Sequence, residues 1–304
     1  MPTPLVAVII PNWNLRNDLV ECLESIKMSS YGNIITIVVD NGSTDDSVEI
    51  VSQKFPEVRL IVSKENQGYA GGVNLGLREG IRLGAHYFFV LNNDTVLPPE
   101  TISLLITTME QYPKYGIIAP KVLYFNSPDL TYSLGDKVFP FLPLPVPIGR
   151  KKIDHKDNEQ IMDFDYLFGC ALLIRKEVLE SIGLFDTSYF MYYEDADYCW
   201  RARAAGFSLA RIGYARIYHK GSLSVNKEKP LMIYYRARNR SRFFRRYPHG
   251  LHPIFTFIAL FLGSVWKILI LIISGNISMI KPYVEGVIRG LFEQLPALEG
   301  TEIE

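Results

Sequence analysis

Short apolar runs alternate with segments of helical spacing along the first third of the chain. The apolar runs are rich in β-branched residues, and each indicates a strand buried on both faces of a parallel sheet. The segments between them repeat apolar residues at helical intervals, which predicts helices. The predicted strands are Leu5–Pro11, Ile34–Val39, Val58–Val62 and Tyr87–Leu91, and the predicted helices are Asp18–Met28, Ser47–Lys54 and Ala70–Leu83. This order predicts an α/β fold with a mostly parallel central sheet flanked by helices.

The pattern becomes less regular after the fourth strand. Phe139–Gly149 is dense in proline, which predicts a surface excursion and excludes a helix or a central strand. Buried strands are predicted again at Leu167–Ile174 and Phe207–Ile212, and Gly169 in the first of them suggests a close approach of backbone. A short helix is predicted between them, at Lys176–Ser181.

The last quarter of the chain is basic and then strongly apolar. Tyr234–Arg246 carries six arginines among aromatic residues, and Leu251–Ser274 is mainly apolar with one charge, Lys267. About 20 apolar residues cross a bilayer, and neighbouring arginines favour its cytoplasmic face. We therefore predict a hydrophobic helical extension over 226–304 that spans the membrane or lies on it. A buried or oligomeric helix pair is the alternative for the apolar segment, and DNA binding is the alternative for the arginines.

The composition narrows the choice of partner and compartment. The chain has 304 residues, is 48% hydrophobic and 21% charged, and has a formal net charge of zero. A neutral chain exerts no global attraction on nucleic acid, so we expect no nucleic-acid partner. Its three cysteines form no CxxC pair, which is typical of a reducing cytosol. The N-terminus has no basic region and enters a strand pattern at once, so we expect no secretory signal.

Polar residues follow each of the four predicted strands. Ligands of parallel α/β sheets bind beyond these carboxyl ends. The turn after the first strand lacks the GxGxxG loop that holds a dinucleotide pyrophosphate, which disfavours a hydride-transferring enzyme. The four polar groups are Pro11–Asn14, Asp40–Ser43, Asn66–Gly68 and Asn92–Asp94.

Three carboxylates, Glu194, Asp195 and Asp197, stand together at the start of a predicted helix. Like charges at this spacing raise the proton affinity of one member, which is typical of sites that hold a cation or move a proton. The structural alternative is that these residues complement the helix dipole and that Asp197 pairs with Arg201 one turn later.

The chain resembles family 2 of the inverting glycosyltransferases, which have the A-type nucleotide-sugar fold. The segments that carry the resemblance are 38–47 (VVDNGSTDDS), 66–77 (NQGYAGGVNLGL), 91–95 (LNNDT), 169–178 (GCALLIRKEV), 183–207 (GLFDTSYFMYYEDADYCWRARAAGF) and the later His219. Together they are similar to the rhamnosyltransferase-like members. One departure is Asn92-Asn93-Asp94, which keeps only the last carboxylate of the family's Asp-x-Asp metal motif.

The resemblance implies a role for each polar group. Transfer from a nucleoside diphosphate sugar requires a cation at the diphosphate, a carboxylate that deprotonates the acceptor, and polar groups that recognise the nucleotide. Asp195 is the expected general base, with Glu194 and Asp197 supporting the acceptor or the helix start. Asp94 and His219 are the expected ligands of Mn²⁺ or Mg²⁺, and imidazole favours Mn²⁺. The expected nucleotide-binding residues are Pro11, Asn12, Asn14, Asp40, Asn66, Gly68, Gly72 and Asn93.

The implied activity is inverting transfer of a sugar from dTDP-rhamnose or a UDP-sugar to a hydroxyl of a glycan or lipid-linked glycan, in cell-surface polysaccharide synthesis. Residues 1–225 would form the transferase domain, with a nucleotide-binding half at 1–125 and an acceptor half at 126–225. The extension would hold the enzyme at the cytoplasmic membrane face, where its arginines suit a lipid pyrophosphate. Two alternatives remain open: a transferase of this fold with a soluble acceptor, and an inactive nucleotide-sugar-binding scaffold subunit.

Overall fold

A computed structural model describes residues 3–138, 145–155, 159–221, 229–247, 253–295, 297–298 and 301–303. The strands are β1 Val6–Asn12, β2 Ile34–Asn41, β3 Arg59–Ser63, β4 Tyr87–Leu91, β5 Thr95–Val96, β6 Tyr115–Tyr124, β7 Ser127–Ser133, β8 Asp136–Val138, β9 Pro145–Pro147, β10 Ile161–Asp163, β11 Ala171–Arg175 and β12 Ser208–His219. The α-helices are α1 Arg16–Lys27, α2 Ser47–Lys54, α3 Gly68–Arg82, α4 Thr101–Gln111, α5 Lys176–Ile182, α6 Glu194–Ala204, α7 Lys229–Arg246, α8 Pro253–Ile273 and α9 Ile280–Phe292.

The first four strands form a continuous parallel sheet in the order β4-β1-β2-β3. β1 and β4 are buried along almost their whole length, as their uninterrupted apolar runs predict. The predicted strands and helices of this part are confirmed, with ends that shift by about two residues, the usual uncertainty of an element boundary. The α/β prediction is therefore confirmed.

Beyond β4 the sheet becomes mixed. β11 lies antiparallel between β4 and β6, and β12 runs parallel to β6. β11 begins at Ala171, later than predicted, because Gly169 and Cys170 form a turn before it. β12 is one strand with an irregularity between Ile212 and Arg216, and it continues until His219 lies opposite Thr95, just beyond the end of β4.

Part of the predicted proline-dense excursion, residues 139–144, lies outside the described residues. Of the remainder, Pro145–Pro147 pairs with Asp136–Val138 in a separate two-stranded sheet. Both strands lie outside the central sheet, as the proline content requires.

The C-terminal helices pack on one another and on the central core. Phe243 and Phe244 of α7 are buried in the same apolar cluster as side chains of β1 and β4. Gly286 and Gly290 of α9 lie so close to carbonyls of α7 that a Cβ would clash there. One helix among the described residues, α8 over Ile254–Ile273, is long enough and apolar enough to cross a membrane. Its mean hydropathy is 2.4, and 22% of it is buried.

Candidate active site

Side-chain amides join the ends of β1, β2 and β4. Asn12 is buried at the end of β1, and its Nδ2 donates to Oδ1 of Asp40 at 3.1 Å. Its Oδ1 accepts from Nδ2 of Asn93, which follows β4, at 2.7 Å. Asp40 Oδ2 accepts from the backbone N–H of Ser43 at 3.0 Å, so its carboxylate also closes the turn after β2. The structure thus brings together three of the residues expected to bind the nucleotide.

Three further expected residues line the same edge. Oδ1 of Asn14 accepts from the backbone N–H of Thr44 at 2.9 Å, which ties the turn after β1 to the turn after β2. A Cβ on Gly72 would lie 3.4 Å from Cβ of Pro11 and 3.2 Å from Nδ2 of Asn41. Gly72 therefore packs α3 against the strand ends, as expected of a glycine between a helix and a strand.

Asn41, which belongs to the polar group predicted after β2 but was given no role there, organises the start of α3. Its Nδ2 donates to Oδ1 of Asn66 at 3.1 Å and to the carbonyl of Gly68 at 2.8 Å. Oδ1 of Asn66 in turn accepts from the N–H of Gly68 at 2.9 Å. The position of Asn41, directly after Asp40 at a strand end, is the signal that could have identified it.

The start of α3 touches the segment that precedes the acidic helix α6. Gly68 has a φ of +76°, a left-handed conformation that glycine adopts readily. A Cβ there would also lie 2.5 Å from the carbonyl oxygen of Phe190. Both the backbone conformation and the close contact therefore favour glycine at this position. The next residue, Tyr69, donates its N–H to that same oxygen at 2.6 Å. We call the edge that carries the expected nucleotide-binding residues the nucleotide side, and the segment that leads into α6, with the first turn of α6, the acidic side. The two sides of the site are therefore in direct backbone contact.

Asp195 is partly exposed and is held by two backbone amides. Its Oδ2 accepts from the N–H of Gly169 at 3.0 Å, and its Oδ1 accepts from the N–H of Ala196 at 2.8 Å. The carbonyl of Gly169 accepts from the hydroxyl of Tyr69 at 2.8 Å, a contact that the sequence analysis missed. The neighbouring Cys170 carbonyl accepts from the N–H of Asn92 at 2.9 Å. The Gly169–Cys170 turn thus links the candidate base to the end of β4.

Burial dominates the electrostatics of the first turn of α6. It raises the pKa of Glu194 well above the usual value, and the neighbouring charge of Asp195 adds to the increase. Burial also raises the pKa of Asp195, although hydrogen bonds from Ala196 and Gly169 oppose this. Oε2 of Glu194 has no hydrogen-bond partner among the described residues. Repulsion between the two carboxylates therefore opposes the ionisation of both at once.

Asp197 faces away from this pair into a buried ionic cluster. Nε of Arg201 lies 2.8 Å from its Oδ2, which confirms the predicted ion pair one helical turn apart. The hydroxyl of Tyr247 donates to its Oδ1 at 3.0 Å. The Asp197 side chain is fully buried, so these contacts favour support of the helix over contact with an acceptor.

Asp94 and His219 form a buried pair at the end of the sheet. Nε2 of His219 lies 3.1 Å from Oδ1 of Asp94, and both side chains are almost completely buried. Neither ring nitrogen meets the geometry of a hydrogen bond with any described residue. An orphaned imidazole beside a carboxylate fits a divalent cation. Among the described residues no cluster of three or more His, Cys, Asp and Glu could hold a metal, so any further ligand would be an amide or carbonyl oxygen, the diphosphate or water.

Several arginines of α7 brace the segment before α6. Arg238 and Arg242 both donate to the carbonyl of Ser188, and Arg246 pairs with Asp186 at 2.8 Å. These guanidinium groups bind other groups of the protein. The sequence suggested that they form a surface for anions, but here they stabilise tertiary packing.

The other arginines of α7 divide between the neighbouring helices and the solvent. Arg240 donates to Ser264 of α8, and Arg245 donates to carbonyls near the end of α9. Arg236 is exposed, and its guanidinium lies 4.4 Å from the ring centroid of Tyr192. Of the six, Arg236 is thus the most exposed to solvent.

The family model described as "Glycosyl transferase family 2" matches residues 7–183. The low-salt glycan biosynthesis hexosyltransferase Agl10 of Haloferax volcanii is 25% identical over 300 residues, which cover 94% of this chain and 91% of that protein. The N-acetylglucosaminyl-diphospho-decaprenol L-rhamnosyltransferase of Mycobacterium tuberculosis is 22% identical over 250 residues, which cover 74% of this chain and 79% of that protein.

Solved structures show the same fold. The mannosyltransferase PcManGT of Pyrobaculum calidifontis, in complex with GDP-Man and Mn²⁺, superposes with a TM-score of 0.59 at 15% identity over 96% of this chain and 88% of its own. TarS 1-349 of S. aureus, in complex with UDP, superposes with a TM-score of 0.55 at 17% identity over 84% of this chain and 69% of its own. The expected A-type transferase fold is thus confirmed, and the chain belongs to glycosyl transferase family 2.

Proposed function

We propose that this protein transfers a sugar from a nucleoside diphosphate donor, dTDP-rhamnose or a UDP-sugar, to a hydroxyl of a lipid-linked glycan with inversion at the anomeric carbon. The observation that carries the proposal is the placement of Asp195. Its carboxylate is partly exposed, oriented by two backbone amides, and joined through Gly169–Cys170 to the strand ends. A fixed carboxylate next to a nucleotide site is what deprotonation of an acceptor requires.

The reaction follows from this arrangement. An oxygen of Asp195 accepts the proton of the acceptor hydroxyl as that hydroxyl attacks the anomeric carbon. The new bond forms on the face opposite the diphosphate, and the bond to the diphosphate oxygen breaks with its electron pair, so the configuration inverts. The two amides at Asp195 fix the direction of its carboxylate, and burial raises its pKa toward the range in which a base accepts a proton at neutral pH.

Asp94 and His219 would hold the cation that such donors require. Mn²⁺ or Mg²⁺ held there would supply positive charge next to the leaving diphosphate, and the imidazole would favour Mn²⁺. The buried pair and the unsatisfied ring nitrogens support this assignment. The Mn²⁺ in the PcManGT complex is in keeping with it.

The donor class is best tested by thermal unfolding with UDP, dTDP, GDP or NAD, each with and without Mn²⁺. Ligand at about 100 times its dissociation constant adds roughly 2.7 kcal/mol to the free energy of unfolding. We expect one nucleoside diphosphate to raise Tm in a manner that requires Mn²⁺. The proposed donor site would be refuted if none of the nucleoside diphosphates shifted Tm, or if NAD alone did.

The exposed face of α8 supports a membrane-bound acceptor. Large apolar side chains are exposed along the helix, among them Phe261 at 61%, Leu262 at 60% and Trp266 at 65%. Ile288 and Phe292 of α9 are exposed as well. This much apolar surface is unusual for a monomer in water and suits the cytoplasmic face of a bilayer.

A flotation experiment with the full chain tests the membrane assignment. We expect the protein to float with vesicles, more strongly when they contain anionic lipid, and Trp266→Glu to reduce flotation several-fold. Met28→Glu is the matched control, because Met28 is equally exposed, at 69%, but lies at the end of α1. Retention of both variants and the parent chain in the soluble fraction would favour the soluble-acceptor alternative.

A further inference from the structure

Three aromatic residues just before α6 have a left-handed backbone. The φ angles of Phe190, Tyr192 and Tyr193 are 63°, 65° and 72°. A bulky residue in this region costs about 1–3 kcal/mol, and it persists only where its surroundings hold it. The segment leads directly into Glu194 and Asp195, so whatever holds it also sets the position of the candidate base.

A single side chain of α7 caps this segment. Asn239 is fully buried, and its Nδ2 donates to the carbonyls of Tyr189, Met191 and Tyr192 at 2.7, 2.8 and 2.9 Å. An Asn amide has two N–H groups, and here they serve three carbonyls of one turn. Because an unpaired buried carbonyl costs about 1–3 kcal/mol, this amide is well placed to offset the backbone strain.

The held segment reaches both sides of the site. The carbonyl between the capped residues, that of Phe190, accepts from the N–H of Tyr69 at the start of α3. At its other end the segment continues into α6, whose Asp195 is bound by Gly169. A shift of the segment would therefore move the candidate base relative to the nucleotide edge.

We propose that Asn239 is a positioning residue, which fixes residues 189–193 and through them the carboxylate of Asp195. The inference rests on the proposed function for the role of Asp195, whereas the holding of the segment is independent of it. It also assigns α7 a part in building the active site, in addition to any role next to the membrane.

The test compares Asn239→Asp and Asn239→Ala with Ser241→Ala in the full chain. Aspartate keeps the size of asparagine and, when ionised, has no donor. Ser241 is the control, because it is buried on the same helix and its hydroxyl has no hydrogen-bond partner among the described residues. The measurements are amide hydrogen exchange by mass spectrometry without ligand, and hydrolysis of the sugar nucleotide whose diphosphate gives the largest thermal shift.

In both Asn239 variants we expect exchange in residues 187–197 to become at least about tenfold faster, with β1 and β2 unchanged. We expect kcat to fall about 10- to 100-fold while KM for the donor changes less than about twofold. A misplaced base reduces the stabilisation of the transition state but not the binding of the donor. Ser241→Ala should match the parent chain. If the two variants unfold, Asn239→Ser, which retains one donor, provides the same comparison.

Unchanged exchange in residues 187–197 would overturn the inference, and so would faster exchange with a parental kcat. Asp195→Asn, measured alongside, separates this failure from a failure of the proposed function. If Asp195→Asn retains parental turnover, the general-base assignment is wrong, whatever the exchange of the Asn239 variants shows.

Discussion

The two sides of the candidate site are held together in different ways. On the nucleotide side, Asn12, Asp40 and Asn93 follow neighbouring strands, and their side chains bond directly to one another. On the acidic side, a segment of left-handed backbone is capped by Asn239, a residue about fifty positions further along the chain. The sheet alone is enough to place the first group, whereas the second depends on a helix that follows the matched region 7–183. Changes to α7 should therefore affect catalysis more than nucleotide binding.

The two sides also differ in charge. On the nucleotide side, Asn12 and Asn93 are neutral amides, and the carboxylate of Asp40 accepts hydrogen bonds from Asn12 and Ser43. The acidic side buries Glu194 and half-buries Asp195, and burial raises the pKa of both carboxyl groups. Proton chemistry should accordingly be confined to the acidic side, and substitutions can separate the two functions.

The largest expected effect is that of Asp195→Asn. Asparagine keeps the size of the side chain but cannot accept the acceptor proton, so we expect turnover to fall about 10²- to 10⁴-fold. The Mn²⁺-dependent thermal shift with the diphosphate should remain. Asp129→Asn, at an exposed position on β7, is the control and should leave turnover unchanged. Parental turnover in Asp195→Asn would favour the inactive-scaffold alternative or a different base.

The next largest effect is expected for Asp94→Ala. Loss of the carboxylate leaves His219 as the remaining one of the two proposed ligands, so the Mn²⁺-dependent part of the stabilisation should vanish. That part is roughly 2.7 kcal/mol at 100 times the dissociation constant. Thermal unfolding of the variant with diphosphate, with and without Mn²⁺, measures it. An intact Mn²⁺ effect would show that the cation binds elsewhere.

A smaller effect is expected from Gly169→Ala, which alters the position of the base without removing it. The new Cβ would lie 2.9 Å from Oδ2 of Asp195, so the carboxylate must move. We expect kcat to fall about tenfold and the free energy of unfolding to fall by about 1–3 kcal/mol. Gly32→Ala is the matched control, because a Cβ at Gly32 would have open space around it to 4 Å. Equal kinetics in the two variants would show that the Gly169 contact is dispensable.

The sequence predicts that the expected nucleotide-binding residues meet, because their contacts follow from strand order. Once β1, β2 and β4 are parallel neighbours, the residues after them must meet at one edge. The contacts of Tyr69 with Gly169, and of Asn239 with residues 189–192, join segments that carry no local sign of each other. The arginines of α7 show the same limit, since their number predicts a surface for anions whereas tertiary packing turns most of them inward.

The smallest expected effect on turnover is that of Glu194→Gln, which should mainly change how stability depends on pH. Because the pKa of Glu194 is raised in the folded protein, the folded state retains this proton at a pH where the unfolded chain, with a usual value of 4.5, has lost it. The contribution of Glu194 to stability is therefore complete below about pH 4.5 and declines as pH rises toward the folded pKa. Glutamine resembles the neutral acid at every pH, so the variant should lose this decline.

Near pH 8 we expect the Tm of Glu194→Gln to exceed that of the parent chain by about 2–4 °C, which is the shift that about 1 kcal/mol gives in a domain of this size. Near pH 5 we expect the two Tm values to be equal. Turnover should stay within about twofold, because the two backbone amides at Asp195 favour its ionised form, whereas Oε2 of Glu194 has no hydrogen-bond partner among the described residues. Thermal unfolding from pH 5 to 9 tests the first expectation. A large loss of turnover with a parental Tm profile would instead identify Glu194 as the base, and the acceptor proton would then pass to the buried carboxylate rather than to the partly exposed one.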